Sequence, residues 1–487
     1  MILEALAHAP RATLVDARGA VSLGELFAEA EVRAAGLCAR FGPLRGRRLA
    51  VFATPTRGFL VALLAIMRAG GTAVVTSTIH PAAEAGAACD RAGVLAIVAH
   101  ADALEAARAL SPRPIVELAS LRAAGDPTPP VGSDDALLLF TSGTTAAPKG
   151  ARITHDNLLA HARVLHEAWR WRPEDRLIHA LPLHHLHGLG TALLTALAAS
   201  ATVELVPRFE PRAVLEAIAS SPTPAVWMAV PTTIARVTAA CDDARLRRGL
   251  AALRLVTNGS AGLPRSVSDR FFAIAGHRPL ERFGMTECGV ATTQPLDGRR
   301  VVGSSGFAVP GMEVRVVDEE IQVRGAGVFP GYDSSGPAAR RRWGADASFD
   351  AEGWFKTGDA GALGPDGLIV HGRISVDVLK SGGYKLSALE IEAAIREHDA
   401  VDEVAVVGIP DEEWGDRVTA VIVARAEIDV DEVRAFLRER LAPYKIPKTF
   451  VLRDALPKNT IGKVTKPALI AELTHGRPTG ARRGGLV

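Results

Sequence analysis

The chain has 487 residues, 48% hydrophobic and 23% charged, which is too long for one ordinary core and too apolar for extended disorder. Its 56 Lys and Arg nearly cancel its 54 Asp and Glu, so a net charge of +2 gives no electrostatic case for nucleic acid or an anionic membrane surface as partner. Cys38, Cys89, Cys241 and Cys288 are widely spaced with no CxxC pair, and read as free thiols of a reducing compartment.

In chain order, the first residues carry Glu4 and Asp16 and no long apolar stretch, unlike a signal peptide, so the cytoplasm is expected. Apolar runs (RLAVFAT, GTAVVTS, LAIVAH, then ATVELVP, AVWMAVP, LRLVTNG) alternate with Ala-rich helical stretches such as residues 59–69. That rhythm predicts an α/β body of mainly parallel sheets with helices on their faces. The uncharged run 188–203 is too short to span a bilayer and predicts a buried helix. From 298 to 370 short strands and Gly turns predict a β-rich subdomain, with GMEVRVVDEEIQVRG as a hairpin turning at Asp318 and Glu319. Beyond it, helices at 388–397 and 430–441 with strands VDEVAVVGIP and RVTAVIVARA predict a small mobile α+β domain. The expected division is 1–373 and 374–487, with a hinge near 372–377.

The most specific signal is LLLFTSGTTAAPKGARITH, where an apolar strand runs into a small hydroxyl-rich turn ending at Lys149. Hydroxyls, approachable backbone N–H groups and a lysine suit phosphate oxygens. The ATPase phosphate loop needs Gly before its Lys and Ser or Thr after it, and Pro148 and Gly150 stand there instead. The segment resembles the phosphate loop of the acyl-CoA synthetase, adenylation-domain and luciferase superfamily, departing from it at Ala146, where Gly is usual. The resemblance extends over nearly the whole chain through motifs in the same order.

It implies an enzyme that uses ATP and Mg²⁺ to make an acyl-adenylate and then passes the acyl group to CoA. Thr141, Ser142, Gly143, Thr144, Thr145 and Lys149 then hold the phosphates. In LPLHHLHGLG, His185 lines the acyl pocket; the closeness of His184, His185 and His187 leaves a metal site as the alternative, and His184 as a partly exposed packing position. Gly259 and Ser260 of NGSAGLP receive adenine, on which Phe283 of LERFGMTE stacks. Thr286 donates to the α-phosphate, and Glu287 with Thr141 serves Mg²⁺. Asp359 of WFKTGDAG accepts the ribose hydroxyls and Arg373 contacts ribose or phosphate. In SGGYK, Gly382, Gly383 and Tyr384 line the path of the CoA thiol. Lys463 of LPKNTIGKVTKPAL neutralises charge between the attacking carboxylate and the α-phosphate, with Lys458 and Lys466 as surface neighbours.

Arg282 bears on the acid. A guanidinium in an acyl pocket needs a partner, and a second substrate carboxylate supplies one. ERFGMTE and HHLHG resemble the corresponding motifs of malonyl-CoA and methylmalonyl-CoA synthetases, which makes Arg282 and His187 candidates for the distal carboxylate of a small dicarboxylic acid. The alternatives are that Arg282 bridges Glu281, that the acid is a short monocarboxylic or aryl acid, and that the acceptor is a carrier-protein thiol supplied in trans.

Overall fold

The computed structural model describes residues 1–110, 113–122, 125–141, 148–333, 348–382, 384–458 and 464–474. Six neighbouring strands of a nine-stranded sheet run parallel, in the order Thr13–Asp16, Thr202–Leu205, Arg176–His179, Ala225–Ala229, Leu255–Asn258 and Leu280–Met285. Antiparallel strands close both edges: Gly19–Ser22 on one, Gly289–Thr293 and Phe307–Ala308 on the other. A six-stranded sheet runs Ile115–Glu117, Ala96–Ala99, Arg48–Ala53, Thr72–Ser77, Asp135–Thr141 and Lys149–Thr154, all parallel except its last pair. The six residues of strand Thr72–Ser77 are all buried, as expected for a strand covered on both faces.

The expected α/β body is therefore present, and its parallel topology places the site. Ligands of open parallel sheets gather beyond the carboxyl ends of the strands. The histidine motif follows Arg176–His179, the NGS turn follows Leu255–Asn258, and Thr286 and Glu287 follow Leu280–Met285. The phosphate turn joins Asp135–Thr141 to Lys149–Thr154 across the second sheet.

The β-rich part is an antiparallel sheet of Met312–Val317, Glu320–Gly325, Phe355–Gly364 and Gly367–Arg373. Its first turn is where the sequence put it, with Asp318 and Glu319 both at positive φ (48° and 70°), the geometry of a two-residue hairpin turn. The C-terminal part builds a five-stranded sheet with helices Ala388–Ile395, Val430–Arg438 and Lys466–Thr474. It has an apolar core of its own, including Leu379, Ile391, Val406, Ile422, Leu437 and Phe450. The first two helices end two or three residues earlier than the sequence suggested.

The run 188–203 differs from the single helix expected. His187–Leu194 is π-helical, Thr195–Ala198 finishes as an α-helical turn, and the chain then enters strand Thr202–Leu205. Two glycines permit it: a Cβ on Gly188 would lie 2.3 Å from the Pro182 carbonyl oxygen, and one on Gly190 2.6 Å from Leu186 Cδ1. Widened turns of this kind are frequent at functional sites. Among the described residues no helix is long and apolar enough to cross a membrane.

Candidate active site

At the carboxyl end of strand Arg176–His179 the histidine motif packs inward. His184 is 7% exposed, its ring 4.2 Å from that of His185 and edge-on to His80 at 5.2 Å. It is thus a buried residue and not the partly exposed one expected. His80 follows strand Thr72–Ser77, so this cluster joins the two sheets. Burial, with the neighbouring His185 and His80, pulls His184 down to about 3. Burial and His80 pull His185 down to about 4. His187 is held well below its ordinary range, first by burial and then by Arg282, His179 and His185. Its Nδ1 lies 3.3 Å from Ser260 Oγ. These are neutral imidazoles at physiological pH, and the buried Nε2 atoms of His184, His185 and His187 have no hydrogen-bond partner among the described residues. Among the described residues no group of three or more His, Cys, Asp or Glu is placed to hold a metal ion, so the histidines do not form the alternative metal site.

Arg282 completes this end. It lies on Leu280–Met285, is 7% exposed, and its guanidinium rests against Gly259, where a Cβ would come within 2.3 Å of Cζ. Any larger side chain at 259 displaces the arginine. Arg282 Nε and Nη2 are buried with no hydrogen-bond partner among the described residues. Burial pulls the guanidinium down to about 10, and among the described residues no carboxylate opposes it. The bridge to Glu281 does not form. Successive strand residues face opposite sides, and Glu281 instead accepts the N–H groups of Leu263 at 3.2 Å and Gly303 at 2.9 Å. Ser260, opposite His187, has φ +69°, uncommon for a residue with a side chain.

The nucleotide end is built from the next residues of the same strand. Glu287 is 4% exposed, and Oε1 accepts a 2.7 Å hydrogen bond from the hydroxyl of Tyr332. The ring of Tyr332 lies under Lys149, with Nζ 4.8 Å from its centroid. Thr141 pairs with Lys149 across the two strands, and its hydroxyl donates to the Lys149 carbonyl at 3.4 Å. Two ties hold the Tyr332 turn in place. Asp333 takes two hydrogen bonds from Arg48, at 2.8 and 2.9 Å, and the Asn157 side chain donates to the carbonyls of Ala326 and Val328. A single buried carboxylate suits Mg²⁺, which keeps phosphate oxygens and water as its other ligands.

Asp359 and Arg373 face each other across strands Phe355–Gly364 and Gly367–Arg373, with Arg373 Nε 3.1 Å from Asp359 Oδ1. The thiol of Cys288 is buried near these groups. Burial pushes it up to about 12, and it feels Glu287, Asp359 and Arg282 at once. Phe283 is buried on the strand between Arg282 and Gly284; Thr286 is half-buried. Gly382 has φ +56° beside the Trp414 ring, and Tyr384, 53% exposed, stacks on Tyr444 at 4.3 Å with the ring planes 11° apart. Ser142, Gly143, Thr144, Thr145, Gly383 and Lys463 lie outside the described residues.

The chain matches the family of AMP-binding enzymes over residues 3–333 and the C-terminal domain of AMP-binding enzymes over 390–463. It belongs to the AMP-binding enzyme family. It is 35% identical to the human mitochondrial malonate–CoA ligase ACSF3, over 96% of this chain and 91% of that one. ATP-bound MatB from Rhodopseudomonas palustris superposes with a TM-score of 0.86 at 32% identity, covering 97% of this chain and 99% of its own. A malonyl-CoA ligase in a ternary product complex with methylmalonyl-CoA and AMP gives 0.67 at 34% identity, covering 92% and 97%.

Within this family member the structure brings Arg282, His187, His185, Gly259 and Ser260 to one end, and Thr141, Lys149 and Glu287 to another. Tyr332 was not singled out from the sequence, although the chain has only three tyrosines and this one ends the turn FPGY. Lys466 was read as a surface lysine and is not one. It is 8% exposed, with Nζ 2.5 Å from Asp377 and 2.7 Å from Glu392. Burial alone would lower it, but Glu392 and Asp377 outweigh that and hold it above its ordinary value. Lys458 matches its reading: its side chain is 38% exposed and pairs with Glu403.

Proposed function

We propose that this enzyme is an ATP-dependent, AMP-forming ligase that joins malonate or methylmalonate to CoA. The observation that carries the substrate is Arg282, a buried guanidinium with two nitrogens unpartnered, and no carboxylate opposing it, among the described residues. Leaving a charge unpaired in a protein interior is costly. A dicarboxylate offers one carboxylate to Arg282 and His187 and keeps the other for reaction; a monoacid leaves the guanidinium unpaired. The names of the relatives support the same acid.

In the first step a carboxylate oxygen attacks the α-phosphorus of ATP and pyrophosphate leaves. Lys149 and the hydroxyls of Thr141, Ser142, Thr144 and Thr145, with the backbone at Gly143, hold the phosphates. Phe283 stacks on the adenine beside the turn of Gly259 and Ser260, which also borders Arg282 and His187, and Asp359 and Arg373 hold the ribose. Glu287 and Thr141 supply hard oxygens for Mg²⁺, which contributes charge neutralisation on the phosphates. Lys463 offsets the repulsion between the two anions, and Thr286 donates to the α-phosphate. His185 closes the acyl pocket against water.

In the second step the CoA thiolate attacks the anhydride carbonyl and AMP leaves. The Gly382, Gly383 and Tyr384 segment then lines the thiol path, which requires the C-terminal unit (residues 374–487) to turn against the first 373. Arg373 is tied to Asp359 on one side and Asp377 to Lys466 on the other. The short turn between them, with Ile374 and Ser375 exposed, is where we place the pivot. The four buried free thiols suit a reducing compartment, and the cytoplasm is our reading.

The test is AMP release with CoA and a panel of malonate, methylmalonate, propionate and benzoate. Malonate or methylmalonate is expected to lead in kcat/KM, and a lead for propionate or benzoate rejects the dicarboxylate. Transfer to a carrier protein and not to CoA rejects the acceptor. Lys463→Ala is expected to abolish pyrophosphate exchange while sparing thioester formation from supplied acyl-adenylate; equal loss of both rejects the divided role.

A further inference from the structure

The segment that carries Lys463 is fastened at its base. Lys458 and Val464 pair as an antiparallel bridge, and the Thr465 N–H donates to the Pro457 carbonyl at 2.8 Å. Helix Lys466–Thr474 starts immediately afterwards. Its first side chain runs inward to Asp377 and Glu392. Both carboxylates are committed to the backbone as well. Asp377 Oδ2 accepts the Arg373 N–H at 2.9 Å, and Glu392 Oε1 accepts the Val406 N–H at 2.9 Å. Glu392 also takes a 2.9 Å hydrogen bond from Arg396.

These bonds form one line through the protein. Lys466 holds Asp377, Asp377 holds the backbone of Arg373, and the Arg373 side chain holds Asp359 at the nucleotide end. Lys466 is three residues from Lys463 along the chain. We infer that Lys466 is a positioning residue for adenylate formation, fixing the base of the Lys463 segment to the hinge and so to the nucleotide site. It touches no substrate and acts through Lys463.

A purely structural lysine affects both half-reactions through the amount of folded protein. A positioning lysine affects mainly the step that uses Lys463. The inference rests on the adenylation role given to Lys463 above, so Lys463→Ala is the reference. In the full-length enzyme, Lys466→Met is expected to lower kcat for malonate-dependent pyrophosphate exchange about 10- to 100-fold, with KM for ATP changed less than about threefold. Thioester formation from supplied acyl-adenylate, per folded molecule, is expected to stay within about threefold. Lys466→Arg, which can bond both carboxylates, is expected to restore exchange. Should the Met variant be insoluble, Asp377→Asn carries the same test, because it keeps an acceptor for the Arg373 N–H and weakens the hold on Lys466. Equal loss in both half-reactions, unchanged exchange, or failure of the Arg variant to recover overturns the inference. Full exchange activity in Lys463→Ala overturns the parent reading instead.

Discussion

Two buried cations separate the two halves of this enzyme. Arg282 and Lys466 are exposed to nearly the same small extent, 7% and 8%. Lys466 lies within 2.7 Å of two carboxylates and is held above its ordinary value by them. Arg282 has none among the described residues, and burial pulls it down to about 10. A chain does not keep an uncompensated buried charge for stability, since apolar replacements are often as good or better. The unpaired cation therefore points to a ligand that completes it, and the paired one to internal architecture.

The same substitution at both sites puts this contrast to its largest test. Lys466→Met takes the lysine from Asp377 and leaves Glu392 to Arg396, and breaking a buried pair this way costs about 3–5 kcal/mol. Arg282→Met removes a charge that no carboxylate among the described residues balances, so Tm of the ligand-free enzyme is expected to rise. Its kcat/KM for malonate is expected to fall by roughly 100-fold or more, and that for propionate by less than about fivefold. Thermal scans of the two variants without substrate decide it. A loss of Tm in Arg282→Met as large as that in Lys466→Met shows that Arg282 is compensated within the protein, and the contrast fails.

A second test uses pH on the unpartnered side. His179 is 2% exposed, both ring nitrogens lack partners, and burial pulls it down to about 4. Below the ordinary value of 6.5 the unfolded chain takes up a proton that the folded one refuses, so stability is lost as pH falls toward 4. At 1.36 kcal/mol per pH unit this one group withdraws about 2 kcal/mol between pH 6.5 and 5. His179→Leu is expected to remove that share of the slope. Urea unfolding at both pH values measures it, and an unchanged slope means that His179 is hydrated or partnered in solution.

The sequence was most informative where function and local pattern coincide. The apolar runs named the parallel strands, and the Asp318 and Glu319 turn was legible because two adjacent polar residues between β-branched runs favour a tight hairpin. The motifs that follow strands Arg176–His179, Leu255–Asn258 and Leu280–Met285 share one edge of the sheet, because parallel strands deliver their carboxyl-end loops together. What escaped depends on which residues meet. Lys466 looked like a surface lysine because its partners lie 89 and 74 positions earlier, at Asp377 and Glu392. Arg282 had Glu281 beside it in the chain, and only strand alternation shows that they face apart. The end of the 188–203 run was hidden because small residues allow helix, widened helix and strand alike.

Tyr332 offers the finest test, since it joins the two groups expected to meet the phosphates. Its hydroxyl donates to Glu287, and its ring lies against Lys149. Phe at 332 keeps the ring and removes only the hydroxyl, so Lys149 is left in place while Glu287 loses a donor. A hydrogen bond to a charged group contributes about 1.5–3 kcal/mol when fully desolvated, and water can replace part of it at an open site. The expected loss is therefore about 1 kcal/mol, or roughly fivefold. It should fall on the Mg²⁺-dependent part of ATP affinity, because Glu287 is the carboxylate assigned to the ion. Calorimetric titration with ATP, with and without Mg²⁺, separates the two contributions. If Tyr332→Phe weakens both equally, the hydroxyl supports the turn as a whole, and the orientation of Glu287 must come from its backbone bond to Phe329 alone.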